Sequence, residues 1–421
     1  MNRRELLAAS ALFPGAAWLA SCAGNAAGGA VGAVPAAAPL SPPRDDESWW
    51  REVRKQFLIA DGIFMNTGTF GASPRPVVDA TITHLRAFET VFHQIGLDGP
   101  RLFGSLGKLL NAPPECFAIT RNTTEGMNVV ARGLDIAAGD EILATTHEHV
   151  GGICCWELVA KRYGATLKRF DPPLDPASEE EQVAAWLAAT TPKTKVWSIA
   201  HVIFSTGIIQ PVKRLAAEAK KRGIITVIDG AHPPGMLATD LTDLDCDFYA
   251  SSPHKWLLAP KGIGFLYVSP EWIDRLWPLV ASGGWDDLKI KGQRFDHVGT
   301  RNDSLVYGLQ SALDFHDTIG TARIESRVRG MATDLDARLR QIPGIEMKSP
   351  SRAAFRSALV SFTVKGKKAE DVIAALWKAG PVRVRHVAEY DYHYIRLSTH
   401  IYNSPAEVET VAGMLATIAA G

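Results

Sequence analysis

A lysine set among aromatic and apolar residues is the side chain in this sequence best suited to chemistry. Lys255 lies in the stretch Asp247–Leu257, which predicts a short strand ending in small residues, and Trp256 follows it directly. An ammonium group on an apolar wall is poorly solvated, so we expect a lowered pKa and a nucleophilic free amine. Such amines commonly form a Schiff base with a carbonyl compound. A solvated surface lysine is the alternative when Lys255 is considered alone.

A carboxylate upstream follows a strand of the kind that carries ligands at its end. The run Ile224–Ile228, apolar except for Thr226, predicts a central parallel strand covered on both faces, and Asp229 and Gly230 follow it. In open α/β sheets, ligands bind just beyond the carboxyl ends of the strands. A carboxylate there would keep a pyridine nitrogen protonated and make the ring an electron sink, which together with Lys255 indicates pyridoxal phosphate. A turn or a helix cap is the structural alternative for Asp229.

Two threonines stand where a predicted strand runs into a predicted helix. Phe117–Thr120 predicts the strand, and Thr123 and Thr124 precede an apolar-periodic helix. The free N–H groups and positive dipole end of such a helix suit a phosphate. Helix capping alone would also explain the threonines.

The motifs Asp229-Gly-Ala-His232 and Ser252-Pro-His-Lys255 together resemble the class V aminotransferase family of pyridoxal-phosphate enzymes. The branch that they most resemble is the isopenicillin N epimerase-like one, a relative of the cysteine desulfurases, and the resemblance covers about residues 64–403. It implies an α/β fold (fold type I). In that fold, a large domain with a mostly parallel, seven-stranded type of sheet covered by helices precedes a small α+β C-terminal domain. The predicted segments are an N-terminal piece at 46–75, the large domain at 76–305 and the small domain at 306–421.

The resemblance implies roles for residues around the cofactor. Lys255 would hold the aldehyde, Asp229 would face the ring nitrogen, and His149 would stack on the ring. The residues implied to bind the phosphate are Thr123, Thr124, Ser252, His254 and, from a neighbouring chain, Thr300. The last of these implies a homodimer with shared active sites, although a local turn explains its surroundings equally well.

The resemblance also nominates residues for an amino-acid substrate. A glycine-punctuated loop would bring Asn66 and Gly68 to the substrate pocket, with an ordinary turn as the alternative. An arginine near the C-terminus would grip the α-carboxylate as a two-pronged donor, with Arg396 as first choice and Arg385 as second. Alternation along a strand predicts that Arg383 and Arg385 share one face, and surface placement is preferred for Arg383.

Two departures from the desulfurase pattern narrow the chemistry. Some relatives have an asparagine where Phe204 stands, to bond the cofactor's phenolic oxygen, and Ser205, Thr206 or His232 would have to replace it. Desulfurases carry a nucleophilic cysteine near the C-terminal arginine, but no cysteine follows Cys246. A persulfide-forming desulfurase is therefore not expected. Transamination, epimerisation, elimination and decarboxylation at an amino acid's α-carbon stay open.

Two hypotheses of other classes remain beside this one. The first is a metal-dependent hydrolase whose divalent ion is held by a cluster of histidines and a carboxylate; its candidate ligands are His147, His149, Asp229 and His232 or His254. It leaves the lysine and the threonines unexplained. The second is a binding lipoprotein that keeps the fold but has lost its chemistry.

The first residues predict a targeting segment. Arg3 and Arg4 precede the apolar run Leu6–Ala20, and residues 1–22 resemble a twin-arginine export signal. Leu19-Ala-Ser-Cys22 also resembles a lipobox, so a lipid-anchored protein and a soluble periplasmic protein are both open. The Ala-, Gly- and Pro-rich residues 23–45 predict a flexible tether.

Composition excludes some partners and bounds the fold. The chain has 421 residues, of which 46% are hydrophobic, enough for a substantial core. Lys plus Arg and Asp plus Glu each number 45, so no strong electrostatic field favours nucleic acid or an anionic membrane. The adjacent Cys154 and Cys155 would bridge each other only with strain, and both are predicted to be core residues.

Overall fold

The computed structural model describes residues 40–44, 46–90 and 98–421. The predicted export signal and nearly all of the predicted tether lie outside the described residues. Within the described part of the chain, no helix combines the length and the apolar character that crossing a membrane requires.

The described residues alternate strands with helices over most of their length. The strands are β1 (Ile63–Phe64), β2 (Phe117–Thr120), β3 (Glu141–Thr145), β4 (Thr166–Phe170), β5 (Thr194–Ala200), β6 (Ile225–Asp229), β7 (Phe248–Ser251), β8 (Gly264–Val268), β9 (Ile345–Met347), β10 (Leu359–Val364), β11 (Val382–Arg383), β12 (Arg385–Val387) and β13 (Tyr394–Ser398). The α-helices are α1 (Glu47–Arg54), α2 (Arg75–Thr90), α3 (Gly99–Leu110), α4 (Thr123–Gly133), α5 (Val150–Tyr163), α6 (Glu179–Ala189), α7 (Val212–Lys220), α8 (Leu241–Leu244), α9 (Ser304–Ile319), α10 (Thr321–Arg340), α11 (Ala369–Ala379) and α12 (Pro405–Ala420). Short 3-10 helices are Pro114–Cys116, Pro270–Trp272, Leu288–Phe295, Ala353–Phe355 and Glu389–Asp391.

A seven-stranded sheet forms the centre of the fold, in the order β2-β8-β7-β6-β5-β3-β4. Strands β4, β3, β5, β6 and β7 pair in parallel, and β8 runs antiparallel to both of its neighbours. Most of these strands are buried along their whole length, as expected when helices cover both faces of a parallel sheet. The predicted α/β fold with a mostly parallel seven-stranded sheet is confirmed.

The start of α4 excludes helix capping as the explanation for Thr123 and Thr124. Asn122 is the N-cap, and its side chain accepts a hydrogen bond of 3.0 Å from the Glu125 N–H. Thr123 and Thr124 are the first two helical residues. Capping therefore does not explain the threonines, because the preceding asparagine already performs it.

A second sheet and a second core lie in the C-terminal part. The antiparallel sheet has the order β12-β13-β10-β9, and β1 pairs in parallel with β11. The apolar side chains of α1, including Trp49 and Val53, belong to this second core. Helix α9 contributes Leu309 to the first core and Phe315 to the second. The domain boundaries at 76–305 and 306–421 stay a prediction.

A glycine at the end of β6 allows a close approach of an aromatic ring. A Cβ atom on Gly230 would overlap the ring of Tyr249, which is fully buried on the neighbouring strand β7. The ring also lies near His201, whose Nδ1 is 3.1 Å from the Tyr249 hydroxyl. Gly230 is therefore required by packing directly beside Asp229.

The two adjacent cysteines differ in their surroundings. Both are free thiols; Cys155 is buried, as predicted, whereas Cys154 is exposed. The prediction was wrong for Cys154 because successive residues of a helix point about 100° apart, and one face of α5 is open to solvent.

Candidate active site

A cavity of about 310 Å³ lies beyond the carboxyl ends of β5, β6 and β7, between the starts of α4 and α5. Most of the residues that the sequence nominated line it: Gly68, Thr123, Thr124, His149, Asp229, His232, Ser252, His254, Lys255, Arg385 and Arg396. The lining also includes Thr69, Asn122, Gly151 and Phe204, to which sequence reasoning gave no binding role. The position agrees with the rule that ligands of open α/β sheets bind at this edge.

The amine and the carboxylate at the centre of the prediction share this cavity. Burial lowers the pKa of Lys255 to about 8, with Asp229 opposing the shift and the cationic Arg396 adding to it. Burial raises the pKa of Asp229, and the charge of Lys255 opposes that change. The Asp229 Oδ1 accepts a hydrogen bond of 3.0 Å from the Ala231 N–H, which fixes the orientation of the carboxylate.

His232 carries its proton on the nitrogen that faces the lysine. The indole N–H of Trp256 donates to His232 Nδ1 at 3.0 Å, so a neutral ring must have its hydrogen on Nε2. His232 Nε2 lies 3.4 Å from Lys255 Nζ. Burial, and then the charge of Lys255, lower the pKa of His232 well below its ordinary value, so the ring is neutral at pH 7.

This geometry favours His232 as the substitute for the asparagine that Phe204 replaces. Ser205 is fully buried, and its hydroxyl lies 2.9 Å from His147 Nδ1. Neither Ser205 nor Thr206 lines the cavity, whereas His232 presents a neutral N–H donor there. Sequence alone left these three residues equivalent.

The start of α4 forms a cluster of hydroxyl and N–H groups. The Thr123 N–H donates to Ser252 Oγ at 2.9 Å, and the two hydroxyls lie 2.8 Å apart. A Cβ atom on Gly151 would collide with Thr124 Oγ1, so a glycine keeps this hydroxyl accessible. Hydroxyls and backbone N–H groups at a helix start are well suited to an anion.

His254 differs from the other donors of this cluster. Its Nδ1 is 3.3 Å from the Ile263 carbonyl oxygen, which only accepts, so Nδ1 carries a hydrogen. Burial, and then Lys255, lower the pKa of His254 to about 4. A neutral His254 therefore offers Nε2 as an acceptor, and the predicted donation to a phosphate requires the ring to gain a proton beside that anion.

His149 presents a neutral flat ring to the cavity. It is the N-cap of α5, and its Nδ1 accepts from the Gly151 N–H at 3.0 Å. Burial, and then the charge of Lys255, lower its pKa to about 3. The ring packs edge to face on Phe204, with centroids 5.0 Å apart and an interplanar angle of 86°. This contact holds the imidazole in one orientation.

The two candidate arginines have different partners. Arg396 is buried and donates to the Phe204 carbonyl at 2.7 Å and to Thr69 Oγ1 at 3.3 Å, but its Nε has no partner. Arg385 is paired with Glu389, with 2.5 Å between Nη2 and Oε1. Among the described ion pairs, none involves Arg396, so its guanidinium is the more available for a carboxylate.

Arg383 and Arg385 do not share a strand face, contrary to the prediction. Arg383 belongs to β11, which pairs with β1, whereas Arg385 begins β12, which pairs with β13. The chain changes its pairing partner at Val384, so the two arginines belong to strands of different sheets although the burial of residues 382–385 still alternates. Arg383 is exposed, in agreement with the preferred surface placement.

Two nominated residues do not line the cavity. Asn66 is buried behind it, where its Oδ1 accepts a hydrogen bond of 2.8 Å from Thr69 Oγ1. Thr300 is exposed, and its predicted contact with a neighbouring chain stays a prediction. Gly68 lies close to the guanidinium of Arg396: a Cβ atom at this position would be 2.9 Å from Arg396 Nη2.

The rival metal site does not form. His147 does not line the cavity; it stacks on Tyr392, with centroids 4.7 Å apart, and bonds to Ser205. Within the described residues, the ligand atoms that approach within coordination distance belong to a different part of the chain. The hydrolase hypothesis therefore loses its geometric basis.

A buried acid that sequence reasoning left without a role lies beside the site. Burial raises the pKa of Glu148 to about 8, and the charge of Asp229 adds to this shift. The Thr145 hydroxyl donates to Glu148 Oε1 at 2.7 Å. The position next to His149 was visible in the sequence, but complete burial of a carboxyl group was not.

Comparison with known proteins agrees with this geometry. The family model "Aminotransferase class-V" matches residues 105–411. An isopenicillin N epimerase from Amycolatopsis lactamdurans is 33% identical over 388 residues, which cover 87% of this chain and 98% of that protein. A probable cysteine desulfurase from Xylella fastidiosa (strain 9a5c) is 28% identical over 403 residues, covering 88% and 95%. A structure of a C-DES mutant with glycine covalently linked to the PLP cofactor has a TM-score of 0.78 and 26% identity, covering 86% and 98%.

The fold and the site define a fold type I enzyme that depends on pyridoxal phosphate. The chain belongs to the class V aminotransferase family, and its relatives include epimerases and cysteine desulfurases. The predicted family, enzyme class and cofactor are confirmed.

The depressed pKa of Lys255 leads to the first prediction. In cofactor-free protein, acylation of Lys255 should reach half its maximal rate near pH 8, because the free amine forms as pH rises through that value. Lysines in water titrate at about pH 10.4, and labelling of the exposed Lys221 is followed in the same samples for comparison. Mass spectrometry of peptides labelled between pH 6 and 11 measures both.

Asp229→Asn provides the matched comparison, because it removes the carboxylate that opposes the shift of Lys255. The labelling midpoint of Lys255 should move further down in this variant. A midpoint for Lys255 equal to that of the surface lysines would contradict the buried-amine site.

Proposed function

We propose that this enzyme is exported and acts at the α-carbon of an amino acid or of a peptide-derived amine, by aminotransferase, epimerase or lyase chemistry. The observation that carries the proposal is one cavity that contains four features. These are an amine with a lowered pKa, a buried carboxylate, a cluster of hydroxyl and N–H groups suited to an anion, and a buried arginine without an ion-pair partner among the described residues. Each of these groups is complementary to one part of pyridoxal phosphate or of an amino acid bound beside it.

The residues of the cavity fit the cofactor. A Cβ atom on Gly152 would lie 2.6 Å from Asp229 Oδ2, so this glycine leaves the carboxylate free to face a ring nitrogen. Lys255 would hold the aldehyde carbon, the α4 cluster would hold the phosphate, and His149 would cover the ring. Bound there, pyridoxal phosphate supplies an electron sink for charge released at the α-carbon.

The chain's own groups supply the remaining functions. The Lys255 amine, once free, is placed to remove or return a proton at the α-carbon, because its pKa of about 8 suits exchange near neutral pH. Neutral His232 offers the N–H at Nε2 as a hydrogen-bond donor in the cavity. Arg396, supported by Thr69, binds the α-carboxylate as a charge-assisted hydrogen-bond donor.

The absence of a cysteine favours chemistry other than persulfide formation. None of the residues that line the cavity is a cysteine. Among the activities of the relatives, isopenicillin N epimerase is therefore a better guide than cysteine desulfurase.

Deuterium exchange at the α-carbon tests the proposal. Holoenzyme incubated in D₂O with a panel of amino acids and small peptides should exchange the α-hydrogen of at least one compound, as measured by mass spectrometry. Lys255→Ala should slow this exchange by ~100-fold or more, because general acid–base groups contribute about 10²–10⁴-fold. Arg396→Ala should raise KM by ~10–100-fold, because hydrogen bonds to charged groups contribute about 1.5–3 kcal/mol.

Arg383→Ala is the control, since this exposed arginine belongs to the neighbouring strand and should leave KM unchanged. Exchange that persists at the wild-type rate in Lys255→Ala would overturn the assignment of the base.

Export is a separate part of the proposal and rests on the sequence of residues 1–22. Replacing Arg3 and Arg4 together with lysine should retain the protein in the cytoplasm, whereas the unchanged chain should appear in the periplasmic fraction. Cys22→Ser distinguishes anchoring from simple cleavage, because a lipoprotein would move from the membrane to the soluble fraction. Periplasmic recovery of the double-lysine variant would exclude the twin-arginine route.

We also propose that the enzyme is a homodimer with shared active sites. Thr300 is exposed and outside its own chain's cavity, as a residue that reaches a neighbour would be. An apolar groove of about 550 Å³ lies between Leu58 and α2, and Ile82 and Leu85 of α2 are 42% and 45% exposed. Contiguous exposed apolar side chains of this kind are typical of an interface.

Sedimentation equilibrium should give twice the mass of one chain. Ile82→Glu together with Leu85→Glu should produce monomers, because charges would be buried without partners at the interface. Thr300→Ala should keep the dimer but weaken cofactor retention. A monomeric wild-type enzyme with full activity would contradict the shared site.

A further inference from the structure

A second group of potential ligands lies on the C-terminal sheet and includes none of the residues that line the cavity. One ligand atom from each of Glu370, His386 and His393 lies within 4.8 Å of the others. His386 is the central residue of β12, His393 directly precedes β13, and Glu370 lies in the first turn of α11. Three elements therefore bring two imidazoles and one carboxylate to one point of the surface.

The orientation of His393 is already fixed for coordination. Its Nε2 lies 2.7 Å from Asp391 Oδ1, and because a carboxylate only accepts, Nε2 carries the hydrogen of the neutral ring. The lone pair of His393 Nδ1 then faces His386 Nε2, which lies 3.3 Å away at hydrogen-bond distance, and an ion bound between the two nitrogens would replace this contact. A histidine that ligates a metal with one nitrogen and donates to a carboxylate with the other is the common arrangement in metal sites.

The separation of the two nitrogens matches one ion between them. Zinc–nitrogen bonds of about 2.0–2.1 Å at tetrahedral angles place two ligand nitrogens roughly 3.3–3.4 Å apart. The carboxylate of Glu370 approaches the other side of the same imidazole, with Oε1 3.6 Å from His386 Nδ1. Its side chain is 57% exposed, so the carboxylate is accessible from solvent at this position.

The backbone before β13 is held in a conformation that residues other than glycine adopt infrequently. Tyr390, Asp391 and His393 have φ values of 54°, 62° and 51°, in the left-handed region. The Tyr392 hydroxyl donates to the Thr146 carbonyl at 3.0 Å, and its ring stacks on His147. These contacts keep the loop in the form that turns His393 towards His386, and such strain concentrates at functional positions.

We propose that Glu370, His386 and His393 bind one divalent transition-metal ion, of which zinc fits best, with water completing the coordination. Imidazole and carboxylate ligands suit zinc, and three protein ligands leave a position open. The ion would join α11 to the β12–β13 hairpin, the segment that also carries Arg385 and its partner Glu389. It therefore takes no part in bond breaking, but stiffens the wall of the cavity that faces the substrate.

Isothermal titration of the holoenzyme with ZnSO₄ tests the site, in a Cys22→Ser, Cys154→Ser background; Cys154 is the exposed thiol among the described residues, and Cys22 lies outside them. One ion should bind per chain. His393→Ala should weaken binding by ~100-fold or more. Asp391→Asn should weaken it by ~10–100-fold, which is typical for loss of a group that orients a metal ligand. His297→Ala should have no effect, because this exposed histidine lies outside the cluster.

Two controls keep the outcome clear. The cofactor spectrum and the thermal melting curve without zinc should match the wild type in every variant, so that a lost ion is not a lost fold. Amide hydrogen exchange of residues 385–394 should slow when zinc is added to the wild type but not to His393→Ala. Absence of stoichiometric binding, or equal binding by wild type and the double variant His386→Ala, His393→Ala, would overturn the proposal.

Discussion

The organisation of the active site depends on buried positive charge that the described chain neutralises only in part. Lys255 and Arg396 both face the cavity, and burial lowers the pKa of each; that of Arg396 falls to about 9, so it remains charged at pH 7. Asp229 is the carboxylate whose charge acts on Lys255, and burial raises the pKa of Asp229. A buried cation without an anion is costly, so the cavity is stabilised by anionic ligands.

The neutral groups of the site follow from the same constraint. His149, His232 and His254 all have pKa values lowered by burial, with the charge of Lys255 as the second cause. Protonating any of these histidines would add positive charge to a region that already has an excess of positive charge. Their hydrogen-bond partners are therefore decisive, because each partner determines which ring nitrogen faces the cavity as donor or acceptor.

The parts that sequence predicted well are those with a strong local signal. The run Ile224–Ile228 predicted β6 within one residue, because a strand buried on both faces typically has a largely apolar, β-branched sequence. Asp229 and Lys255 came together as expected, since neighbouring parallel strands end at the same edge of the sheet. Other features depended on tertiary contacts. The tautomer of His232 is determined by Trp256, and the pairing of Arg385 by Glu389 at the end of a distorted loop. No spacing in the sequence reports either contact.

The short pairing of β1 with β11 has a consequence for the whole molecule. Met65, directly after β1, donates its N–H to the Arg383 carbonyl at 2.8 Å and accepts from the Ser398 N–H at 2.9 Å. Through these two hydrogen bonds, Met65 connects the N-terminal segment to two strands that end beside Arg385 and Arg396. A displacement of the N-terminal segment at Met65 would therefore act on both of these strands, and through them on the side of the cavity that Arg385 and Arg396 line.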